Sequence, residues 1–376
     1  MSKCLDVGGQ AVIEGVMMRG PGSMVIAVRR ADGSIVVKDS EWVPLTRRWR
    51  FLKWPVIRGA VVMIEALMNG MQSLSFSAEV AMKDEEEAAA REAAGQDGGS
   101  RAEAAAGEPS PKQTTPSSQA TELHPSPAEE IPSGIMTKGA IALSLSLSFA
   151  LGIGLFIYLP HAAASVLMNL SAGLPLDAAA DVNSPLFHTI VGIVKMTVFI
   201  TYILLIRRMP DIYRVFQYHG AEHKSIHAYE ARQELTVANA RSWPTFHPRC
   251  GTSFLVFVII ISIGFFAAAF PLLGPLIFPD GLEGWRLGLL QASVKIPMMV
   301  PIAGLSYEFI KWAGRQKESV LLRFLSIPGQ LVQKLTTIEP DDEQLEVALV
   351  SLKRSLQLEG ELKEPSYDNC HFLPAA

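Results

Sequence analysis

Four long apolar segments dominate the pattern of hydrophobic and polar positions along the chain. Lys195 is the only charged residue in the first three, whereas Lys295, Pro297 and Pro301 interrupt the fourth. Each segment is long enough, as a helix, to cross a hydrocarbon core of about 30 Å. The pattern therefore predicts a mainly α-helical membrane protein with about four transmembrane helices. The predicted spans cover residues 139–160, 186–206, 252–270 and 287–310.

The first 54 residues have a different pattern, which predicts a small β-hairpin element in the cytoplasm. Residues 24–28 and 35–37 are mostly apolar and β-branched, and an Asp-Gly pair lies between them. Such a pair between two such runs is typical of a hairpin turn. Glu14 and Arg19 precede the hairpin among apolar residues. We expect both to be buried and paired with each other or with a polar loop of the membrane domain.

Three further segments complete the predicted organisation around a membrane domain at 134–312. Residues 55–82 are apolar but contain charged and amide side chains, which favours an amphipathic or re-entrant helix over a full crossing. Residues 83–133 are acidic and Ala-rich, then rich in Gly, Ser, Pro and Thr. This composition is typical of a disordered low-complexity insert with a frayed helix at its start. Residues 313–376 are predicted to form a cytoplasmic helical tail, with a helix over 345–352.

The distribution of lysine and arginine predicts the orientation in the membrane. The connections 161–185 and 271–286 contain one basic residue between them, Arg286. The connection 207–251 contains seven, and the chain up to residue 58 contains ten. Because basic residues are enriched in cytoplasmic segments, we predict a multi-pass protein of the inner (cytoplasmic) membrane. Both termini and the 207–251 loop then lie in the cytoplasm.

Composition narrows the class of function and the partners. Hydrophobic residues make up 49% of the chain, and the small net charge of −4 argues against nucleic-acid binding. The three cysteines, Cys4, Cys250 and Cys370, are too few and too scattered for a disulfide framework. Cys250 is therefore expected to be a free thiol or a metal ligand. The lipid bilayer is the predicted partner, and a homo-oligomer is left open.

The 207–251 connection, called the His/Cys loop below, holds the residues with the clearest chemistry. His219, His223 and His227 are spaced at i, i+4 and i+8, so a helix places all three on one face. His247 and Cys250 follow in the same loop. Imidazole and thiolate groups together are typical of a transition-metal site and favour zinc. All five residues are therefore predicted metal ligands.

Glu222 lies beside this helical face and is the predicted catalytic residue. The run from His219 to His223 spells the H-x-x-E-H pattern of inverted zincins, in which a glutamate serves as the general base. This interpretation is a zinc hydrolase that acts on a lipid or a membrane-associated peptide. His219 and His223 would bind one zinc ion. The third ligand would be His247, Cys250 or Glu230.

Other functions remain open on the sequence alone. Lys195 and Lys295, inside predicted spans, favour a transporter or an ion-coordinating channel. The alternative is that these lysines snorkel to the membrane surface or form ion pairs, for which Glu65 and Glu308 are the candidate acids. A metal site closed by four protein ligands would instead suit a non-catalytic, metal-stabilised assembly factor. Solvated histidines that bind no metal are the simplest alternative.

Four motifs resemble those of the YqhQ-like family, bacterial polytopic membrane proteins described as a domain of unknown function and as a predicted metal-dependent enzyme. The motifs begin at Gly8, Tyr218, His247 and Ser306 and read GGQAVIEGVMMR, YHGAEHK, HPRCGTSF and SYE. The resemblance covers residues 5–80 and 135–350. It implies metal dependence through the same histidines and cysteine, and it implies no particular substrate.

Overall fold

The structure is a computed structural model that describes residues 4–101, 143, 146–175, 184–247, 250–278, 284–315, 320–362, 367 and 369–373. The chain forms two compact units. One consists of Met1–Asp84 with Leu155–Ala376, and the other is Glu85–Gly154. The sheet and the functional residues lie in the larger unit. The described residues are mostly helical with one small sheet, which agrees with the predicted fold class.

The N-terminal sheet contains the predicted hairpin and is larger than predicted. Its strands, in spatial order, are β1 (Gly8–Val12), β2 (Gly15–Arg19), β3 (Ser23–Arg29), β4 (Ile35–Glu41) and β5 (Cys370–Leu373). Strands β1 to β4 are antiparallel neighbours, and β5, from the other end of the chain, pairs in parallel with β4. The sequence predicted only β3 and β4, because glycines obscure the alternation in β1 and β2 and β5 has only four residues.

Helices make up most of the described residues. They are α1 (Leu45–Arg48), α2 (Ile57–Arg101), α3 (Leu159–Ala172), α4 (Pro185–Ile206), α5 (Pro210–Glu230), α6 (Val237–Arg241), α7 (Gly251–Ile277), α8 (Gly284–Arg315), α9 (Val320–Thr336) and α10 (Asp342–Leu358). A π-helical stretch, Gly154–Tyr158, precedes α3. The helix predicted over 345–352 is α10, which begins with a capping box between Asp341 and Gln344.

Within the described residues, three helical segments are long and apolar enough to cross a membrane. They are Ser146–Ala172, Pro185–Ile206 and Gly251–Ile277. The first continues beyond the predicted end at Pro160, and the π-helical stretch Gly154–Tyr158 lies just before this proline. Such stretches re-satisfy the backbone groups that a proline frees inside a helix. Helix α8 coincides with the fourth predicted span but is not among the three. The count of four crossings is therefore an open proposal.

Helix α2 continues into the segment that the sequence assigned to a low-complexity insert. It extends to Arg101, because alanine and glutamate are strong helix formers. Asp84 accepts hydrogen bonds from the Arg30 side chain and from the backbone N–H of Ala31, each 2.7 Å long. Asp84 is thus attached to the sheet domain, and the rest of the predicted insert, 102–133, lies outside the described residues.

Helices cover both faces of the sheet. On one face, a cluster that includes Val25 packs against Tyr218 of α5 and Leu352 of α10. On the other face, Ile26 and its neighbours pack against Phe76 of α2. Apolar side chains on both faces of the sheet are therefore buried and not exposed to water. The same packing holds α5 against the sheet.

The His/Cys loop connects this domain to the apolar helices. Glu14, in the turn between β1 and β2, pairs with Arg214 of α5 and accepts a hydrogen bond from the Tyr218 hydroxyl at 3.2 Å. Glu14 therefore pairs with the His/Cys loop, which was one of its two expected partners; the other was Arg19. The Arg19 guanidinium instead lies over the Trp42 ring, 4.3 Å from its centroid.

Candidate metal centre

Helix α5 places three histidines in a row along one buried face. His219, His223 and His227 occupy successive turns of Pro210–Glu230. The ring centroids of His219 and His223 lie 4.5 Å apart. His223 is 1% exposed. The row therefore faces the protein interior, where an imidazole needs a hydrogen-bond partner or a metal ion.

The first group, called the His/Cys cluster, consists of His219, His223 and Cys250. One ligand atom from each residue lies within 4.8 Å of the other two. The Nε2 atom of His219 is 3.2 Å from the Cys250 sulfur. Cys250 is the N-cap of α7, and its sulfur accepts a hydrogen bond from the Thr252 backbone N–H. The end of an apolar helix thus brings a thiol to the histidines of α5.

The second group, called the His/Glu cluster, consists of His227, Glu230 and His247. Its ligand atoms also lie within 4.8 Å of one another. The His227 and His247 rings are 4.7 Å apart, and His247 Nε2 is 3.7 Å from a Glu230 carboxylate oxygen. The five predicted ligands, with Glu230, therefore form two groups of three, whereas a single ion was expected from the sequence.

Backbone carbonyls hold the rings of the α5 histidines. Nδ1 of His219 is 2.9 Å from the Thr336 carbonyl oxygen, and Nδ1 of His223 is 2.5 Å from that of Thr245. A carbonyl oxygen only accepts, so each Nδ1 carries the proton and donates. The Nε2 lone pair of each ring then remains available to a metal. This is how metal-binding histidines are usually oriented.

Gln333, which the sequence analysis did not identify, positions His247 through its side-chain amide. Its Oε1 atom accepts from the His247 backbone N–H at 3.1 Å, and its Nε2 atom donates to the His247 carbonyl at 2.9 Å and to Ser253 Oγ at 2.7 Å. Gln333 is fully buried. Thr336, the other contact from α9, was also missed. Both act from about 80 to 120 residues away, where no local pattern can reveal them.

Glu222 lies in the interior beside the His/Cys cluster, 5% exposed. Burial raises the pKa of Glu222 to about 8; the nearby His219 opposes this shift and Cys250 adds to it. The glycine-rich strand β1 passes close to this carboxyl group, since a Cβ atom on Gly9 would lie 2.8 Å from three Glu222 side-chain atoms. The GGQAV motif therefore provides the space that a buried glutamate needs.

The ionisation of the other groups suits metal binding. Burial lowers the pKa of His223, although its hydrogen bond with Cys250 opposes the shift. Burial lowers the pKa of His247 to about 4. Burial alone would raise the pKa of Cys250, but the hydrogen bond and charge of His223, together with Thr252, leave it below its usual value. Zinc binds neutral imidazoles and a thiolate, and lower pKa values favour both of these forms.

The acidic partners expected for the lysines in the apolar helices lie elsewhere. Glu65 accepts a hydrogen bond from the Leu45 backbone N–H, and Glu308 forms an ion pair with Arg58. Lys295 is 2.6 Å from Nε2 of His161 and lies near the ring of Phe270. Lys295 therefore contacts a histidine, and the two candidate acids bind other groups.

Fold and site together define a class: a predominantly helical protein, consistent with a membrane protein, in which a small sheet supports a buried histidine row. The family described as "Protein of unknown function (DUF1385)" matches residues 54–358. "Uncharacterized protein YqhQ" of Bacillus subtilis (strain 168) is 31% identical over 358 residues, 94% of this chain and 93% of that protein. No solved structure matches the chain. The chain belongs to the YqhQ-like family, which confirms the resemblance in its motifs.

Proposed function

We propose that this protein is a metal-dependent membrane enzyme, a hydrolase, with zinc bound by the His/Cys cluster. One observation carries the proposal: the ligand atoms of His219, His223 and Cys250 converge within 4.8 Å. The backbone carbonyls of Thr336 and Thr245 orient both imidazoles so that their Nε2 lone pairs face this point. Such preorientation is unnecessary for histidines that are merely solvated.

The residues fit zinc because imidazole nitrogen and cysteine sulfur are both usual zinc ligands. Zinc held by three protein ligands activates water or polarises a carbonyl or phosphoryl oxygen. Glu222 is the proposed general base, since it follows three residues after His219 and lies in the interior beside the cluster. The charge of a bound zinc ion would lower the pKa of Glu222 from about 8 and so favour the carboxylate that accepts a proton. The low-polarity surroundings that Glu222 shares with the cluster would exclude bulk water from a reacting group.

The position of the cluster supports a lipid or a membrane-associated peptide as the substrate class. Cys250 is the residue directly before Gly251–Ile277, one of the apolar segments long enough to cross a membrane. If α7 crosses the membrane, the cluster lies at the end of a crossing, which places it near substrates held in the bilayer.

We propose four crossings with both termini in the cytoplasm, and the packing supports termini on one side of the membrane. Helix α5, before α7, and helix α10, after α9, both pack on the same sheet. Strand β5, at the C-terminal end, pairs with β4 near the N-terminus. If α7 crosses the membrane, the chain must cross back before α10 can pack on the same sheet as α5. Helix α8 is the helix between α7 and α9. The fourth crossing is thus assigned to α8.

Metal analysis of detergent-purified protein tests the zinc site. We expect the His219→Ala/His223→Ala variant to lose the cluster's zinc and Glu222→Gln to retain it, because Glu222 is not a ligand. His371→Ala and Cys370→Ser are matched controls outside the cluster and should keep wild-type content. Unchanged zinc in the double variant would refute the site. Metal-free wild-type protein with a rapidly alkylated Cys250 would instead indicate a cysteine nucleophile.

A transporter is the second candidate, and one contact favours it. Lys295 of α8 lies 2.6 Å from His161 of α3, and the Lys295 ammonium is 5.1 Å from the Phe270 ring centroid. Basic groups among apolar helices are usually functional. Ion flux into liposomes that contain the protein, lost in Lys295→Met with zinc content unchanged, would support transport. Absence of flux in the wild type would leave the enzyme as the better explanation.

A further inference from the structure

We propose that the His/Glu cluster is a second transition-metal site, separate from the zinc site at the His/Cys cluster. His227, Glu230 and His247 offer two imidazole nitrogens and one carboxylate oxygen within 4.8 Å of one another. No ligand is shared with the first site. The second site therefore does not depend on the proposed hydrolase activity and can be tested without a substrate.

The separation of the donor atoms suits a common ion. Nε2 of His247 and Oε2 of Glu230 are 3.7 Å apart, which is longer than a hydrogen bond. Two ligand atoms bound to one zinc ion at 2.0–2.2 Å in tetrahedral geometry are about 3.4 Å apart. The observed pair is already close to that spacing. The Glu230 side chain is partly exposed, which gives it freedom to adjust to an ion.

Two contacts hold the ring of His227. Its Nε2 atom donates to the Phe246 carbonyl oxygen at 2.7 Å, so Nε2 carries the proton and Nδ1 is the proposed metal ligand. The ring stacks on Trp243 with an interplanar angle of 14°. The Trp243 indole N–H in turn donates to Gln233 at 2.8 Å. Two partners thus restrain the plane of this ligand before any ion binds.

His247 is held from the backbone side. Gln333 binds both the N–H and the carbonyl group of His247, and the imidazole is buried, with 4% of the residue exposed. The same side chain also donates to Ser253 at the start of α7. Helix α9 therefore fixes the His247 main chain relative to α7, while the ring points to His227. A rigid scaffold of this kind is the support that metal ligands require.

The two sites are neighbours along α5 with different chemistry. The His223 and His247 rings, one from each cluster, are 5.6 Å apart. The first site contains a thiolate, whereas the second contains only nitrogen and oxygen donors. Nitrogen and carboxylate donors bind zinc, iron, manganese and cobalt, while a thiolate favours zinc. Cobalt(II) therefore distinguishes the sites, because only the first can give the near-ultraviolet charge-transfer band of a cobalt–thiolate bond.

The experiment is a zinc and cobalt(II) titration of the full-length protein in detergent after chelator treatment. We expect about two equivalents per wild-type chain and about one in His227→Gln/Glu230→Gln, with the thiolate band intact. Cys250→Ser should lose that band but keep cobalt at the His/Glu cluster. His371→Gln and Glu234→Gln are the matched controls and should bind like the wild type.

The outcomes separate the second site from the first. If the wild type and the His227→Gln/Glu230→Gln variant both bind one equivalent of cobalt and show the thiolate band, the second site is overturned and the first stands. If the wild type binds one equivalent without a thiolate band, and this variant loses that equivalent, the second site stands and the first is overturned. If the double variant does not fold, Glu230→Gln alone serves, since Glu230 is partly exposed; wild-type stoichiometry and affinity there would contradict the proposal.

Discussion

At the scale of single residues, Gln333 connects helix α9 to the segment that carries His247. Its three hydrogen bonds satisfy two buried backbone groups and one hydroxyl. Leucine has a similar volume but no polar atoms, so Gln333→Leu leaves those groups without partners. Each unsatisfied buried group costs about 1–3 kcal/mol. We expect Gln333→Leu to lower the free energy of unfolding by about 2–4 kcal/mol, measured by thermal unfolding in detergent.

The neighbouring Lys334 offers the control for this prediction. Lys334 is exposed on the same helix, so Lys334→Leu should change the unfolding temperature little. A role in positioning His247 also requires a second result: Gln333→Leu should weaken metal binding at the His/Glu cluster more than at the His/Cys cluster. Equal stability of the two leucine variants would show that the amide contributes nothing to this segment.

At the scale of elements, the close approach between α5 and the connection from α9 to α10 depends on Gly220. A Cβ atom at this position would lie 2.1 Å from the Ile338 carbonyl oxygen. The Ile338 N–H also donates to the Phe216 carbonyl at 3.0 Å, so the connection cannot move away freely. We expect Gly220→Ala to destabilise the fold by about 1–3 kcal/mol through overpacking, although alanine is the better helix former.

Gly264 provides the matched substitution for this helix contact. Gly264 lies inside α7, and a Cβ atom there would meet no atom within 4 Å. Gly264→Ala should therefore be neutral or stabilising, whereas Gly220→Ala should lower the unfolding temperature and loosen the Thr336 carbonyl that holds His219. Thermal unfolding and zinc affinity measure the two effects. An unchanged melting curve for Gly220→Ala would mean that α5 and this connection are farther apart than described.

At the scale of the whole molecule, the low-complexity segment can be shortened, but only beyond the part attached to the sheet. Replacing residues 102–133 with a short Gly/Ser linker should leave the unfolding temperature nearly unchanged, because loop-closure entropy depends weakly on length. Asp84→Ala, which removes the bonds to Arg30 and Ala31, should cost about 1 kcal/mol. A large loss of stability in the linker variant would show that 102–133 has a structural role.

The orientation of the whole chain can be tested by reporter fusions. The pairing of β5 with β4 favours termini on the same side of the membrane, and the basic residues in 207–251 favour the cytoplasmic side. A fluorescent protein fused after Ala376 should fluoresce, and alkaline phosphatase at the same place should be inactive. A phosphatase fusion truncated between α7 and α8 should be active. The opposite result at the C-terminus would exclude four crossings with cytoplasmic termini.

The sequence alone determined the features that depend on neighbouring residues. Helical periodicity put His219, His223 and His227 on one face, and the apolar runs predicted the long helices, because both properties repeat over a few residues. Tertiary structure alone decided how the predicted metal ligands divide into the His/Cys cluster and the His/Glu cluster. The contacts of Cys250 with His219 and of Gln333 with His247 join residues 31 and 86 positions apart. Such distant contacts follow from how helices and sheet pack, which local patterns do not encode.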